Sequence, residues 1–118
     1  MTDYTQLPVW LKSHQLALKF YKVTAAFPAS EFLTSQIRAA ATAVPMNIVA
    51  GCGRDSRAEG GRLFGQAMDS ASQLDYLLLL ARDLNLVGSF DYDLLHSELM
   101  QIKRLLTATL PQLGYDRA

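Results

Sequence analysis

Four arginines crowd one stretch of this 118-residue chain. Arg38, Arg54, Arg57 and Arg62 all fall within Ser35–Arg62, SQIRAAATAVPMNIVAGCGRDSRAEGGR. Guanidinium groups placed this way could contact the phosphates of RNA or DNA. They could equally pair with Asp55, Glu59 or the acids of a neighbouring chain. Aromatic residues able to stack on bases are missing from the stretch. Phe64 is the nearest, and it belongs to an apolar seam.

The same stretch carries Cys52, set between Gly51 and Gly53 and beside Arg54. A cysteine at a helix start could act as a thiolate nucleophile. No histidine lies close by in sequence, since His14 and His96 fall in other segments. The Gly51-Cys52-Gly53 turn could hold an anion at the start of the following helix. It lacks both nucleotide-loop patterns, GxxxxGK[ST] and GxGxxG, and reads as well as a helix–helix turn. Asp91, Asp93 and His96 could be metal ligands, but D-x-D-x-x-H matches no strong ligand spacing. Acids in the first turn of a helix are expected from the dipole alone. A di-iron bundle needs Glu-x-x-His on two helices. The three glutamates, Glu31, Glu59 and Glu98, have no histidine three residues on. The reading that follows is a non-enzymatic protein with no catalytic, cofactor-binding or metal-binding residue assigned.

The elements that would position these residues are helices. Half of the residues are hydrophobic, with leucine and alanine dominant, which favours helix. The length suits a single domain over residues 1–118. The first few residues are polar and predict a loose terminus. Pro8 suits a first helical turn. Val9, Ser13, Leu16, Phe20, Val23 and Phe27 then mark one face, and Phe27-Pro28 ends the helix. Leu33, Ile37, Ala40, Val44 and Ile48 give a second stripe. Pro45 lies inside it, at a cost of about 3 kcal/mol in a helix interior. The spacing runs on to Ile48, which predicts a kinked continuation ended by Gly51 and Gly53. Ser56-Arg57-Ala58-Glu59 reads as a capping box opening the third helix. Phe64, Ala67, Ala71, Leu74, Leu78 and Ala81 form its heptad seam. Gly88 breaks it, and Ser89 or Asp91 caps a fourth helix. That helix shows Leu95, Leu99, Ile102, Leu106, Leu110 and Leu113 on its face, and Pro111 and Gly114 end it. The prediction is an all-α, antiparallel up-and-down four-helix bundle.

Helix 3 carries more apolar surface than its seam uses. Leu77, Leu79, Leu80 and Leu84 make its second half apolar nearly all round, which points to contact with another subunit. Charge is uneven as well. Residues 1–62 carry a net +3 and residues 63–118 a net −3, although the whole chain is neutral. Complementary faces would suit head-to-tail association into a closed ring. One cysteine excludes an internal disulfide. The first residues lack the basic and apolar runs of a signal peptide. The longest run of aliphatic residues, Leu77–Ala81, is far short of a membrane span. A cytoplasmic location with no membrane partner is expected.

The segment LTSQIRAAATAVPMNIVAGCGRDS, with Glu59-x-x-Arg62 after it and Val9-Trp10-x-Lys12-Ser13 before it, resembles a known family. These are the bacterial four-helix-bundle proteins named for intervening sequences in large-subunit ribosomal RNA genes. The likeness runs from about Val9 to Leu113. It implies an antiparallel bundle, often assembled as a pentameric ring. A related branch comprises accessory proteins of diversity-generating retroelements, which look like basic pentamers that bind nucleic acid and a reverse transcriptase. This chain departs from the pattern at Ala39, Ala50, Cys52, Met68 and Asp69. The lost bases weaken the implied nucleic-acid role and leave the implied bundle and ring intact.

Overall fold

Apolar spacing of three and four residues resolves into four helices. They are α1 (Pro8–Thr24), α2 (Leu33–Cys52), α3 (Arg57–Asp83) and α4 (Ser89–Gln112), with a short 3-10 turn at Tyr4–Gln6 before them. The computed structural model describes residues 2–115. Asp116 and Arg117, counted in the charge balance, lie outside the described residues. Among the described residues there is no strand.

The helices form a square. α1 packs on α2 and α4, α3 packs on α2 and α4, and the backbones of the diagonal pairs stay apart. One cluster of buried side chains fills the middle. All six residues of the α3 seam are buried, from Phe64 to Ala81. So are Leu33, Ile37, Ala40, Val44 and Ile48 on α2, and Leu95, Leu99, Ile102 and Leu106 on α4. Leu110 and Leu113 are only half-buried, near the end of α4. α2 and α3 make the closest pair, and small residues allow it. A Cβ on Gly51 would stand 2.8 Å from Phe64 Cδ1 and 3.3 Å from the Gly60 carbonyl oxygen. Glycine at such a contact lets two backbones approach without overlap.

The helix ends depart from the sequence expectation at several points. α1 stops at Thr24, three residues before Phe27. The Thr24 hydroxyl donates to the Phe20 carbonyl at 2.7 Å. The Ala26 and Phe27 amides then close three-residue turns onto Val23 and Thr24. α2 runs unbroken through the buried Pro45. Ser56 caps α3, accepting from the Glu59 amide at 3.2 Å. Glu59 spends its carboxylate on Arg62. α3 ends before Gly88. Asn85 takes the left-handed conformation, φ 62°. The Leu86 and Asn85 amides donate back to Ala81 and Arg82, both at 2.9 Å, the paired bonds of a Schellman ending. Gly88, rather than Ser89 or Asp91, sits at the N-cap of α4. Gly114, φ 70°, closes α4 in the same way as Asn85 closes α3, with Tyr115 donating to Leu110.

The first residues are held rather than loose. The Thr2 amide donates to the Cys52 carbonyl at 2.9 Å. The Tyr4 ring meets Trp10 edge-on, with centroids 4.9 Å apart. Tyr115 reaches the same end of α2, where its hydroxyl donates to the Gly51 carbonyl at 3.0 Å. These bonds serve carbonyls in the last turn of α2, which have no partner within the helix.

Candidate functional site

The four sequence-selected arginines do not converge on one open face. Arg38 is half-buried and ties α2 to the end of α1. Its Nε donates to Thr24 Oγ1 at 2.9 Å and its Nη2 to the Tyr21 carbonyl at 3.2 Å. Its guanidinium lies 4.6 Å above the Tyr21 ring. Arg57 donates to the Gly114 carbonyl and so holds the end of α4. Arg62 forks onto Glu59 at 3.0 and 3.1 Å. This pairing draws the Glu59 carboxyl below its ordinary range and pushes the Arg62 guanidinium up. Arg54 is exposed at the α2–α3 turn, where its charge also helps lower the Glu59 carboxyl. So three of the four already spend donors inside the chain.

Cys52 is the last residue of α2, not the first of α3, and is buried. Burial raises its thiol above the ordinary value, and the nearby Asp3 raises it further. Both effects oppose a thiolate nucleophile. Gly51 serves packing against Phe64, and the Ser56 hydroxyl already takes up an N–H of the α3 start. His96 does not gather with Asp91 and Asp93. Its Nδ1 lies 2.7 Å from Asp75 Oδ1 on α3. The Tyr92 ring stacks on the imidazole, and Arg82 covers the Tyr92 ring at 4.5 Å. The row Asp75–His96–Tyr92–Arg82 laces α3 to α4. Among the described residues no group of three or more His, Cys, Asp or Glu could hold a metal ion.

Apolar surface is the stronger signal. Leu77 and Leu80 are half-buried against their own core. Leu79 is half-buried, and Leu84 is 54% exposed. Sequence reasoning missed a second surface, a groove of about 600 Å³ between α1 and α2. Trp10, Leu18 and Tyr21 form one wall, and Pro45, Met46 and Val49 form the other. Met46 is 66% exposed and Leu18 56%. The signal was present as a second register, Trp10–His14–Leu18–Tyr21 and Thr42–Met46–Val49, off the core stripe of each helix. No helix is long and apolar enough to cross a membrane.

A square of four antiparallel helices with an apolar groove on its outside defines an all-α helical-bundle protein. The profile of the 23S rRNA-intervening sequence protein family matches residues 5–108. The chain therefore belongs to that family. No curated protein matches it at a significant level. Among solved structures it is similar to a protein of unknown function from the S23 ribosomal protein family of Bacteroides thetaiotaomicron. The two are 22% identical and superpose with a TM-score of 0.80, over 86% of this chain and 97% of the other. At that identity the likeness speaks for the fold alone.

Proposed function

We propose that this chain is a non-enzymatic, cytoplasmic building block that works as a closed homo-oligomer, most simply a pentameric ring. One observation supports this above others: two separate apolar surfaces stay uncovered on the single chain. One is the α1–α2 groove around Met46. The other is the outward side of α3, where Tyr76 is 61% and Leu84 54% exposed. Different surfaces that bind each other make a heterologous contact, and such contacts close into rings when the rotation allows. Light scattering of the purified protein tests the reading, and a mass above the 13.1 kDa chain is expected. Leu84→Glu suits the test better than a change at Leu77 or Leu80, whose side chains also support the core. It should lower the mass while leaving the helical circular dichroism unchanged. A monomeric native protein would sink the proposal.

A second reading is a nucleic-acid-binding, ribonucleoprotein or reverse-transcriptase accessory role, in the manner of the related branch. It has its own support: α1 and α2 carry Lys12, Lys19, Lys22 and Arg38 and no acid. Repeated around a ring, even a weak basic face would gain by avidity. Arg54, next to this face in sequence, is the exposed one of the four candidate arginines for which no side-chain hydrogen bond stands among the described residues. Fluorescence anisotropy with structured RNA and duplex DNA across a salt series is the test. Affinity that falls steeply with salt, and a shallower slope for Arg54→Ala, is the supporting outcome.

A further inference from the structure

Both ends of the described chain meet at one pole of the bundle, over the last turn of α2. On one side the Thr2 amide reaches the Cys52 carbonyl, and the 3-10 turn at Tyr4–Gln6 lies against α1 and α2. On the other the Tyr115 hydroxyl reaches the Gly51 carbonyl, and its ring meets Phe64 edge-on with centroids 5.5 Å apart. A Cβ on Gly60 would stand 2.7 Å from that ring, so the ring lies directly on the α3 backbone. The two ends also meet each other, because the Thr2 side chain is a hydrogen-bond partner of the Tyr115 phenol. Cys52 lies beneath them, 1% exposed. The Asp3 carboxylate acts on its thiol, and the thiol acts on the Tyr115 phenol, so both ends lie close to the sulfur.

These ends are lightly anchored. The 3-10 turn buries no residue, and Leu113, Gly114 and Tyr115 are only half-buried. The helices beneath share one continuous buried core. α2 closes without help from the ends, since the Gly53 amide donates to Val49 and the Arg54 amide to Gly51, both at 3.2 Å. Water can therefore replace Thr2 and Tyr115 at the α2 carbonyls. Segments with few buried apolar contacts open at a lower free energy than the whole fold. We propose that residues 2–7 and 113–115 form one clasp, which opens as a unit while the four helices stay packed and so gates the Cys52 thiol. Closed, the pole presents the two chain ends. Open, it presents a thiol and the Phe64 edge between α2 and α3. A reagent or partner that needs the uncovered thiol binds the open state alone and shifts the population towards it.

Thiol labelling and amide exchange on the whole chain test the clasp. An aromatic disulfide reagent should label Cys52 in native buffer faster than global unfolding allows, at a rate that rises little with low urea. Tyr115→Phe, and Thr2→Pro, which lacks the donating amide, should each speed labelling about fivefold, the equivalent of one hydrogen bond. The helical circular dichroism should stay unchanged. In Thr2→Pro the Tyr115 amide, bonded to Leu110 at 3.0 Å, should exchange faster as well. The Leu86 amide, bonded to Ala81 at the opposite pole, should not. Tyr115→Phe gives the same reading in reverse through the Leu7 amide, bonded to Tyr4 at 3.0 Å. Faster labelling without faster exchange at the other end would overturn the single clasp in favour of two separate flaps. Labelling only at the rate of global unfolding, or unchanged in both variants, would overturn the gate itself.

Discussion

Arg38 shows how a residue suited to phosphate can be committed elsewhere. Its guanidinium donates to Thr24 and Tyr21 and covers the Tyr21 ring. Arg38→Ala should therefore cost about 1–2 kcal/mol in urea denaturation, from the lost bonds and the cation–π contact. Arg38→Lys should recover less than half of that, since an ammonium has no planar fork. Tyr115 gives a pH prediction. Burial first, and the neighbouring Cys52 second, raise its phenol above the ordinary value in the folded chain. A raised folded value means that the neutral phenol favours the fold. Its contribution is complete below the ordinary phenol range and is lost as pH rises through the raised value. Tyr115→Phe should lose about 1 kcal/mol at neutral pH through the bond to Gly51. The gap to native should narrow in alkaline denaturation curves. None of these partners was legible in the sequence. Thr24 and Tyr21 lie a whole loop before Arg38, and Gly114 lies two helices beyond Arg57. Pairings of that kind depend on the packed arrangement.

At the scale of elements the sequence was far more informative, because helices follow local periodicity. Every residue of the α3 seam is buried, and so is every residue of the α2 stripe. The misses are at ends, where one hydrogen bond decides. Gly88 drew attention as the breaker of α3, yet Asn85 holds the left-handed position. Asparagine is the less obvious residue there, tolerated because its side chain accepts that conformation. Asn85→Ala should destabilise by about 1 kcal/mol, whereas Asn85→Gly should be neutral or slightly stabilising, as thermal melts would show. Pro45 was legible as an interruption but not as a wall of the groove. That role needs α1 beside it, and α1 placement is a property of the bundle.

For the whole molecule, the pattern of small residues sets which helices come close, and this in turn sets what is left outside. Gly51 lets α2 and α3 come together at one end and Gly60 makes room for the Tyr115 ring, while the larger Trp10, Tyr21 and Met46 line a groove between α1 and α2. The leucine excess of α3 was read from sequence as an interface. Leu77 and Leu80 are shared between the core and the outside, and Leu84 is exposed. That division is why Leu84→Glu should change mass without changing helicity. The basic balance of α1 and α2 was also legible, and the pairing of Lys19 with Glu98 of α4 was not.

The bonds from Thr2 to Cys52 and from Tyr115 to Gly51 have a topological consequence. Residues 2 and 115 meet adjacent carbonyls at one end of α2, so a few flexible residues could join them into a loop. The α1–α2 connection at the opposite end, Pro28–Phe32, is mostly exposed and could be cut open in exchange. A chain rewired in this way would keep the same four neighbours in the same square, with its entry and exit moved to the other pole.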